Sequence, residues 1–570
     1  MENNIKKLPY GISNYEELIT ENYYYIDKTK YIEDLENLAE KRIMILRPRK
    51  FGKTLFTSTL EYYYDIFTKD KFETLFSNVY IGKNPTKLRN SYYILKFNFS
   101  GIDTSSIEET INGFKNEVAS SIQFFSSKYG INSYIDYNDS AENILNNFLK
   151  IFKLEKNDKK IYVIIDEYDH FANELLGFNT EIFKKIVAKN GKVRKWYEIL
   201  KKGTETVIDR IFITGVAPIT LDSTTSGFNI ALDLTKELDF NNMFGFSKDE
   251  VIDIMNNLAI SKDKQEILLP IIKENYDGYI FSNMTLDNIN NYRIYNSNMT
   301  LYFLNKYIRY NKIPEELLDP NIATDYSKLK SLIDVCKNKT NILEKIVAGE
   351  TIDSELTEKF NVEVDFEEKE LVSLLYYLGY LTIREKGYSK CKFTCPNEVI
   401  KTLYTDYFLK LINSKIKKDE NSIDTEKINF EILESGKIDS IIQLLSEYLT
   451  NLSNRDYRLF DEKYIKIVFY TLARTLGTMI VKSELEIGGN YSDILLIPKQ
   501  MQDTRYSVLL EFKYIKKEDY NSCNNLLKQK QEEAKKQIIK YKETEELKHI
   551  INLKSYSVIV IKDKIFVEEI

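Results

Sequence analysis

Four short apolar runs punctuate the first 240 residues: RIMIL (42–46), YYILKFNF (92–99), IYVIIDEY (161–168) and RIFITGVA (210–217). Stretches with helical spacing separate them. Continuous β-branched runs alternating with helices predict a mainly parallel sheet covered on its faces, because such strands are buried on both sides. Between about 241 and 440 the period changes to that of helices, as in SKDEVIDIMNNL and SNMTLYFLNKYI. From about 455 strands return, as YSDILLIP, YSVLLEFKYI and YSVIVIKD, with one long helix between the last two. Tandem repeats and low-complexity linkers are absent from the sequence.

Within the middle region, LVSLLYYLGYLTIREKGYSKCKFTCPNEVIKTLYTDYFLKL (371–411) reads as helix, two strands around Lys386-Gly387, then helix. That order is winged-helix-like. A fold alone does not confer function, so a packing module is favoured over a DNA reader. The expected class is therefore α/β and multidomain: a parallel-sheet domain over 1–240, a helical lid over 241–335, a helical or winged-helix-like linker over 336–454, and a second α/β domain over 455–570.

Length agrees, since 570 residues at roughly 150 per domain predict three or four domains. A formal net charge of −6 gives no global attraction to nucleic acid or to an anionic membrane, so any basic surface must be local. Four scattered cysteines suit a reducing interior. Cys391 and Cys395 lack a second ligand pair and are expected to be structural. His170 and His549 are the only histidines, which argues against a histidine-bound zinc nuclease or a Ser-His hydrolase. No apolar run approaches the ~18 residues of a membrane span, and a cytoplasmic protein is expected.

The first candidate chemistry lies in RPRKFGKTL (47–55), between a strand and an amphipathic helix. Strand, loop and helix stand in the order a phosphate-binding loop requires, although Arg47 occupies the position of its usual first glycine. Backbone N–H groups of the loop and helix N-terminus, from the residue after Pro48 to Leu55, could cradle phosphates, with Lys53 on the β/γ oxygens and the Thr54 hydroxyl on Mg2+. Arg47, Arg49 and Lys50 would add positive charge, and Phe51 and Gly52 complete the loop. The strand ending in Asp166-Glu167 is Walker-B-like: Asp166 for Mg2+, Glu167 to activate the attacking water. Thr214, at the end of the next strand, could sense the γ-phosphate.

The second candidate is ELEIGGNYSDILLIPKQMQDTRYSVLLEFKYIKK (484–517). Asp493 and Glu511 have 17 residues between them, and alternation places Glu511 and Lys513 on one strand face. Two carboxylates could hold a hard divalent cation while Lys513 orients or deprotonates a water. Glu484 precedes this set, and Gln537 and Tyr541 follow it four apart on one helix face. For the helix alone, a packed face of Ala534, Ile538 and Tyr541 is the simpler reading. Lys516, Lys517 and the lysines at 528, 530, 535, 536 and 540 could form the local basic surface, though solvated lysines are commoner.

KLPYGISNYEELITENYYYIDKTKYI, RPRKFGKTLF, IIDEYDH, FITGVAPITLDSTTSGFNI and NYDGYIFSN together resemble the successive signatures of AAA-ATPase-like bacterial proteins carrying a C-terminal PD-(D/E)xK nuclease domain. In that family the loop has an RPRxFGK form, so Arg47 matches it. The resemblance implies a P-loop domain of the ASCE/AAA-like class, a restriction-endonuclease-like C-terminal domain, and ATP with Mg2+, or Mn2+ at the nuclease centre, as cofactors. Q-x-x-x-Y after E-x-K is similar to RecB-type nucleases. It also implies that Tyr25, Asp27 and Lys28 lie near the nucleotide base. Nucleic acid, DNA before RNA, would be the substrate, with defence or mobile-element biology as a setting. Arg49, Arg194 and Arg210 are candidate arginine fingers, and supply from a second copy would imply a homo-oligomer. Two alternatives stand beside this: a STAND-type nucleotide switch with slow turnover, and a nucleic-acid-binding module that does not cut.

Overall fold

The computed structural model describes residues 5–170, 191–218, 231–282, 292–323, 339–358, 360, 367–387, 389–416, 424–451, 461–487, 490–499, 505–522, 525–548, 550, 552–561 and 564–570. The chain divides into two compact units, Met1–Lys339 with Thr351–Lys401, and Thr340–Glu350 with Thr402–Ile570. The span 336–454, expected as one linker domain, is thus shared between them.

The first unit is built on a five-stranded sheet in the order β2-β3-β4-β1-β5. Its strands are β1 (Arg42–Leu46), β2 (Tyr93–Asn98), β3 (Ile161–Asp166), β4 (Ile208–Gly215) and β5 (Leu232–Asp233). Every pairing is parallel. All six residues of β3 are buried, as expected for a central strand with both faces covered. Parallel neighbours need crossovers, and helices supply them. α1 (Tyr15–Thr20) precedes the sheet and α2 (Lys53–Tyr64) follows β1; α3 (Ile107–Tyr129) and α4 (Ala141–Glu155) join β2 to β3, and α5 (Lys192–Gly203) leads into β4. Ser106 and Ser140 cap α3 and α4, each hydroxyl accepting the N–H three residues on.

Beyond the sheet lie α6 (Lys248–Asn257), α7 (Lys262–Tyr276) and α8 (Ser297–Tyr310). Their apolar faces share one core cluster, in which Val251, Ile254, Ile272, Met299 and Phe303 meet Leu8 from the N-terminal strap. Residues far apart in the sequence therefore share this core. The predicted helix, two strands and helix appear as α9 (Glu368–Tyr377), β7 (Thr382–Lys386), β8 (Cys391–Thr394) and α10 (Glu398–Ile416). β6 (Ile352–Ser354) adds a third antiparallel strand beside β8.

In the second unit, α11 (Glu462–Arg474) precedes a mixed sheet of order β13-β12-β11-β10-β9. β9 (Met479–Ile487), β10 (Asn490–Pro498) and β11 (Ser507–Tyr514) form an antiparallel meander. β11 then pairs in parallel with β12 (Leu553–Ile561), and β13 (Lys564–Glu569) closes the edge. α12 (Leu526–Lys542) makes the crossover between β11 and β12, and its Ala534, Ile538 and Tyr541 are buried. Among the described residues no helix is long and apolar enough to cross a membrane.

Candidate functional site

β1 runs into the loop 47–52, which needs two left-handed residues to turn back into α2: Lys50 at φ 66° and Gly52 at φ 95°. Glycine accepts that backbone freely, whereas at Lys50 surrounding contacts must hold it. They do. The Lys50 carbonyl accepts from Ser297 Oγ (3.0 Å), Gly245 N–H donates to the Phe51 carbonyl (2.9 Å), and the Phe51 ring meets Tyr279 edge-on at 4.9 Å. The loop is anchored to Gly245, Tyr279 and Ser297.

Lys53, at the start of α2, is 3% exposed and donates to its own loop's carbonyls, Arg47 O at 3.0 Å and Pro48 O at 3.1 Å. It also stands 3.7 Å from Glu167 Oε1. Asp166, at the end of β3, accepts from Thr214 Oγ1 at 2.9 Å through Oδ1, while its buried Oδ2 has no partner among the described residues. Burial, and then the Glu167 charge, push the Asp166 carboxyl up, against Lys53 and the Thr214 and Thr54 hydroxyls.

Glu167 has the left-handed φ of 54°, costly without a glycine and therefore over-determined by its surroundings. Burial would raise its carboxyl, but Lys53, His170 and Arg49 outweigh that and hold it at about 2. Arg49 Nη2 lies 2.9 Å from His170 Nδ1. These groups face a cavity of about 510 Å3, lined on one side by Arg49, Lys50, Gly52, Lys53, Thr54, Glu167 and His170. Pro9, Ile12, Tyr24, Ile26, Phe246 and Leu301 give it an apolar side. Its volume and mixed lining are those of a small-molecule site, and the unpartnered Asp166 Oδ2 near Thr54 fits a divalent cation.

In the second unit, Asp493 of β10 and Glu511 of β11 are 6% and 2% exposed. Asp493 Oδ2 accepts the Phe512 N–H at 2.6 Å, and its Oδ1 lies 2.5 Å from Lys466 Nζ. Glu511 Oε1 accepts from Lys513 at 2.9 Å, and its buried Oε2 has no partner among the described residues. Burial raises both carboxyls, Glu511 further through the Asp493 charge. Burial disfavours the Lys513 ammonium, but Glu511 and Glu462 reverse this and raise it above the usual lysine range.

Tyr541 is 2% exposed, its hydroxyl raised to about 12 by burial and then by Glu511 and Asp493. Gln537 Oε1, one turn earlier, is buried without a partner among the described residues. An all-oxygen set with one orphaned carboxylate oxygen fits a hard divalent ion that keeps several waters. No cluster of three or more His, Cys, Asp or Glu occurs among the described residues.

Residues 9–225 match the family model described as Predicted AAA-ATPase, and residues 460–570 match that of the PD-(D/E)XK nuclease superfamily. The chain pairs an AAA-ATPase-like domain with a PD-(D/E)xK nuclease-superfamily domain. A curated relative, "Uncharacterized protein in vnfD 5'region" of Azotobacter chroococcum mcd 1, is 23% identical over 277 residues, covering 48% of this chain and 48% of that protein. The chain thus spans about half the length of the curated relative it matches.

In the AAA-ATPase-like domain, Lys53 and Thr54 at the start of α2 lie beside Asp166, Glu167 and Thr214 at and after the ends of β3 and β4. Arg47 departs from expectation. Its guanidinium is 1% exposed, donates to Leu46 O, Thr235 O and Phe240 O, and lies 4.2 Å from the Phe281 ring centroid. Burial depresses it to about 10. It ties β1 to the segment after β5 and brings no charge to the cavity. Of the other loop residues, Phe51 and Leu55 line the cavity, while Pro48 lies against Gly379 of the turn after α9, where a Cβ would come within 2.9 Å of the proline ring.

Of the three arginines considered as fingers, Arg49 lines the cavity. Arg210 lies four residues before Thr214 in β4, among Tyr162, Tyr64 and Tyr92, and Arg194 pairs with Glu198 at 3.2 Å. Tyr25 and Lys28 line the cavity, with Lys28 bound to Glu250 at 2.6 Å. Asp27 instead fixes the backbone, accepting from Thr29 N–H and Tyr80 N–H.

In the nuclease-superfamily domain, Asp493, Glu511, Lys513 and Tyr541 lie together. The backbone of Glu484 is in β9, but its side chain lies outside the described residues, as do His549, Cys336 and Cys523 and the Lys517 side chain. Lys528, Lys536 and Lys540 are exposed, and Lys530 pairs with Glu533 at 2.7 Å.

Sequence reasoning missed two residues here. Glu462 and Lys466, one turn apart on α11 and 3.1 Å from each other, both face the centre: Glu462 accepts the Tyr514 N–H, and Lys466 binds Asp493. Their spacing is that of an ordinary surface pair. In the first unit it missed Asp169, whose carboxylate accepts the N–H groups of Val216 and Ala217 and closes the end of β4.

Proposed function

We propose that this chain hydrolyses ATP in its AAA-ATPase-like domain and cuts nucleic-acid phosphodiesters, DNA before RNA, in its nuclease-superfamily domain with Mg2+ or Mn2+, nucleotide state governing cleavage. One observation carries the reading. Asp166 and Glu511, one in each unit, are buried carboxylates with one oxygen bonded inside the protein and the other without a partner among the described residues. A buried carboxylate oxygen left unpaired is costly unless a cation or donor arrives.

In the first domain, bound Mg2+ would neutralise developing phosphate charge, with Asp166 and Thr54 to hold it. Thr214 fixes Asp166. A triphosphate would draw the Lys53 ammonium from the Arg47 and Pro48 carbonyls and away from Glu167. Glu167, losing its strongest cation, would then regain the basicity needed to take a proton from water. Arg49 stands beside it as a cis charge for the phosphates.

In the second domain, a divalent ion would supply Lewis acidity, with Asp493 and Glu511 to hold it. Lys513, held as an ammonium, would orient the attacking water and the phosphate rather than accept a proton. Tyr541 and Gln537 would wall the same centre. We place the protein in the cytoplasm, and defence against mobile elements fits the pairing of domains.

The test is degradation of linear, circular and single-stranded DNA with Mg2+ or Mn2+, with and without ATP, beside Lys513→Ala and Lys53→Ala. Cleavage that is lost in Lys513→Ala and altered in Lys53→Ala supports the coupled reading. Cleavage identical in wild type and Lys53→Ala removes the coupling, and no cleavage under any condition removes the nuclease.

A further inference from the structure

We propose that the Lys466 ammonium occupies the nuclease centre's cation position at rest and leaves it for a nucleic-acid phosphate, so that metal and substrate enter together. This rests on the metal-dependent nuclease reading above.

The two carboxylates of the centre are unequally available. Glu511 keeps Oε2 buried and unpartnered among the described residues, open to a metal. Asp493 offers no such atom: Oδ2 is fixed by the Phe512 N–H at 2.6 Å, and Oδ1 carries Lys466 Nζ at 2.5 Å. A divalent ion bridging Asp493 and Glu511 through Oδ1 would therefore sit within a few ångströms of an ammonium, where like charges repel strongly in so dry a site. Half the metal position is prepared and half is plugged.

The plug can move. Lys466 is 24% exposed in its side chain, and its four-carbon stem can swing while α11 stays in place. Its second partner, Glu462 Oε1 at 3.1 Å, is 35% exposed and weaker for that reason. The group that would draw an ammonium out of such a pair is an anion at the mouth, and the substrate's phosphodiester is one. Lys466 would then contact a phosphate oxygen, and the vacated Asp493 Oδ1 would take the metal. Lys513 cannot play this part, since it binds Glu511 and leaves Asp493 Oδ1 to Lys466.

Two linked consequences follow. Metal binding without nucleic acid should be weak, and each ligand should strengthen the other by the same factor, as linkage requires. Methionine keeps the unbranched stem of Lys466 to Cε and removes its ammonium, so it should open the metal position and abolish the linkage.

The experiment is calorimetric titration of Ca2+ into the full chain without nucleotide, with and without a short DNA duplex, for wild type, Lys466→Met, Lys466→Gln and Asp493→Asn. Wild type should bind Ca2+ at least about tenfold more tightly with duplex present. Lys466→Met and Lys466→Gln should bind Ca2+ alone about tenfold more tightly than wild type and gain little from duplex. Asp493→Asn should lose this binding. Equal Ca2+ affinity in wild type and a folded Lys466 variant, or indifference of wild type to duplex while Asp493→Asn still loses binding, overturns the role of Lys466 alone. Ca2+ binding unchanged in Asp493→Asn overturns the metal-centre reading itself. Should Lys466→Met fail to fold, Lys466→Gln and the duplex dependence of wild type decide the question.

Discussion

Thr214 Oγ1, at the end of β4, donates a 2.9 Å hydrogen bond to Asp166 Oδ1, at the end of the neighbouring strand β3. The bond fixes which carboxylate oxygen is left over, and that oxygen, Oδ2, is buried without a partner among the described residues.

Replacing Thr214 by valine keeps the shape and removes the donor. Asp166 Oδ1 then becomes a second unpaired oxygen, a loss of roughly 1–3 kcal/mol in a buried site. We expect Mg2+-dependent binding of a fluorescent ATP analogue to weaken about tenfold, with little change in the metal-free binding of the same analogue. Equal weakening with and without Mg2+ would show that Thr214 supports the nucleotide site in some other way.

Glu167→Gln separates holding from hydrolysing. Nucleotide should still bind, because Lys53 and the loop are intact and one repelling charge has gone from the cavity. Turnover should fall by roughly 10²–10⁴, the span usual for a lost general base. Phosphate release and equilibrium binding measured on the same preparation check both halves, and a variant with undiminished turnover removes Glu167 from the reaction.

Arg47 predicts a change in stability rather than in catalysis. Its side chain satisfies three carbonyls, at 2.8, 2.9 and 2.8 Å, in a fully buried position. Arg47→Ala should destabilise the first unit by about 3 kcal/mol, and Arg47→Lys should recover little of it, because one ammonium cannot span a planar fork's three acceptors. Urea titration followed by tryptophan fluorescence reports on this unit, since the single tryptophan, Trp196, is buried in α5.

Gly379 combines φ +83° with a Cβ direction blocked at 2.9 Å by Pro48. Gly379→Ala strains the backbone and presses on the phosphate loop at once. We expect a lower melting temperature and nucleotide affinity reduced several-fold, with saturating ATP recovering part of the lost stability through ligand linkage. A variant with normal affinity would mean that the loop gives way to the methyl without consequence.

β1 to β4 were legible because each is a short apolar run, and IYVIID is buried at every position, whereas the two exposed residues of β5 gave no such signal. The relation of Lys53 to Asp166 and Glu167 was legible too, since acids at the end of one parallel strand must face the loop that follows another. What guanidinium and ammonium groups do was not. Nothing local in RPRKFGK says that Arg47 turns inward, for its partners Thr235 and Phe240 are nearly two hundred residues away and carbonyls carry no sequence signature. Lys466 was hidden for the same reason: its spacing from Glu462 is that of a solvated helix pair, and only the placement of α11 brings it to Asp493. The division into units was hidden differently. Nothing in the helices and strand pair read over 336–454 marks a boundary, whereas contacts assign 351–401 to the first unit and its flanks to the second.

The contact between Pro48 and Gly379 also bears on how the protein is made. During synthesis the RPRKFGK segment leaves the ribosome more than three hundred residues before the turn that abuts it, and Gly245 and Ser297, which hold its carbonyls, also follow late. A nascent chain of the length of a minimal ATPase domain therefore carries the motif without its supports. At elongation rates of about 5–20 residues per second, tens of seconds separate the appearance of the loop from the arrival of its last wall. The nucleotide site would mature only as translation nears the end of the first unit, and fragments stopping near residue 240 should yield the motif without the pocket.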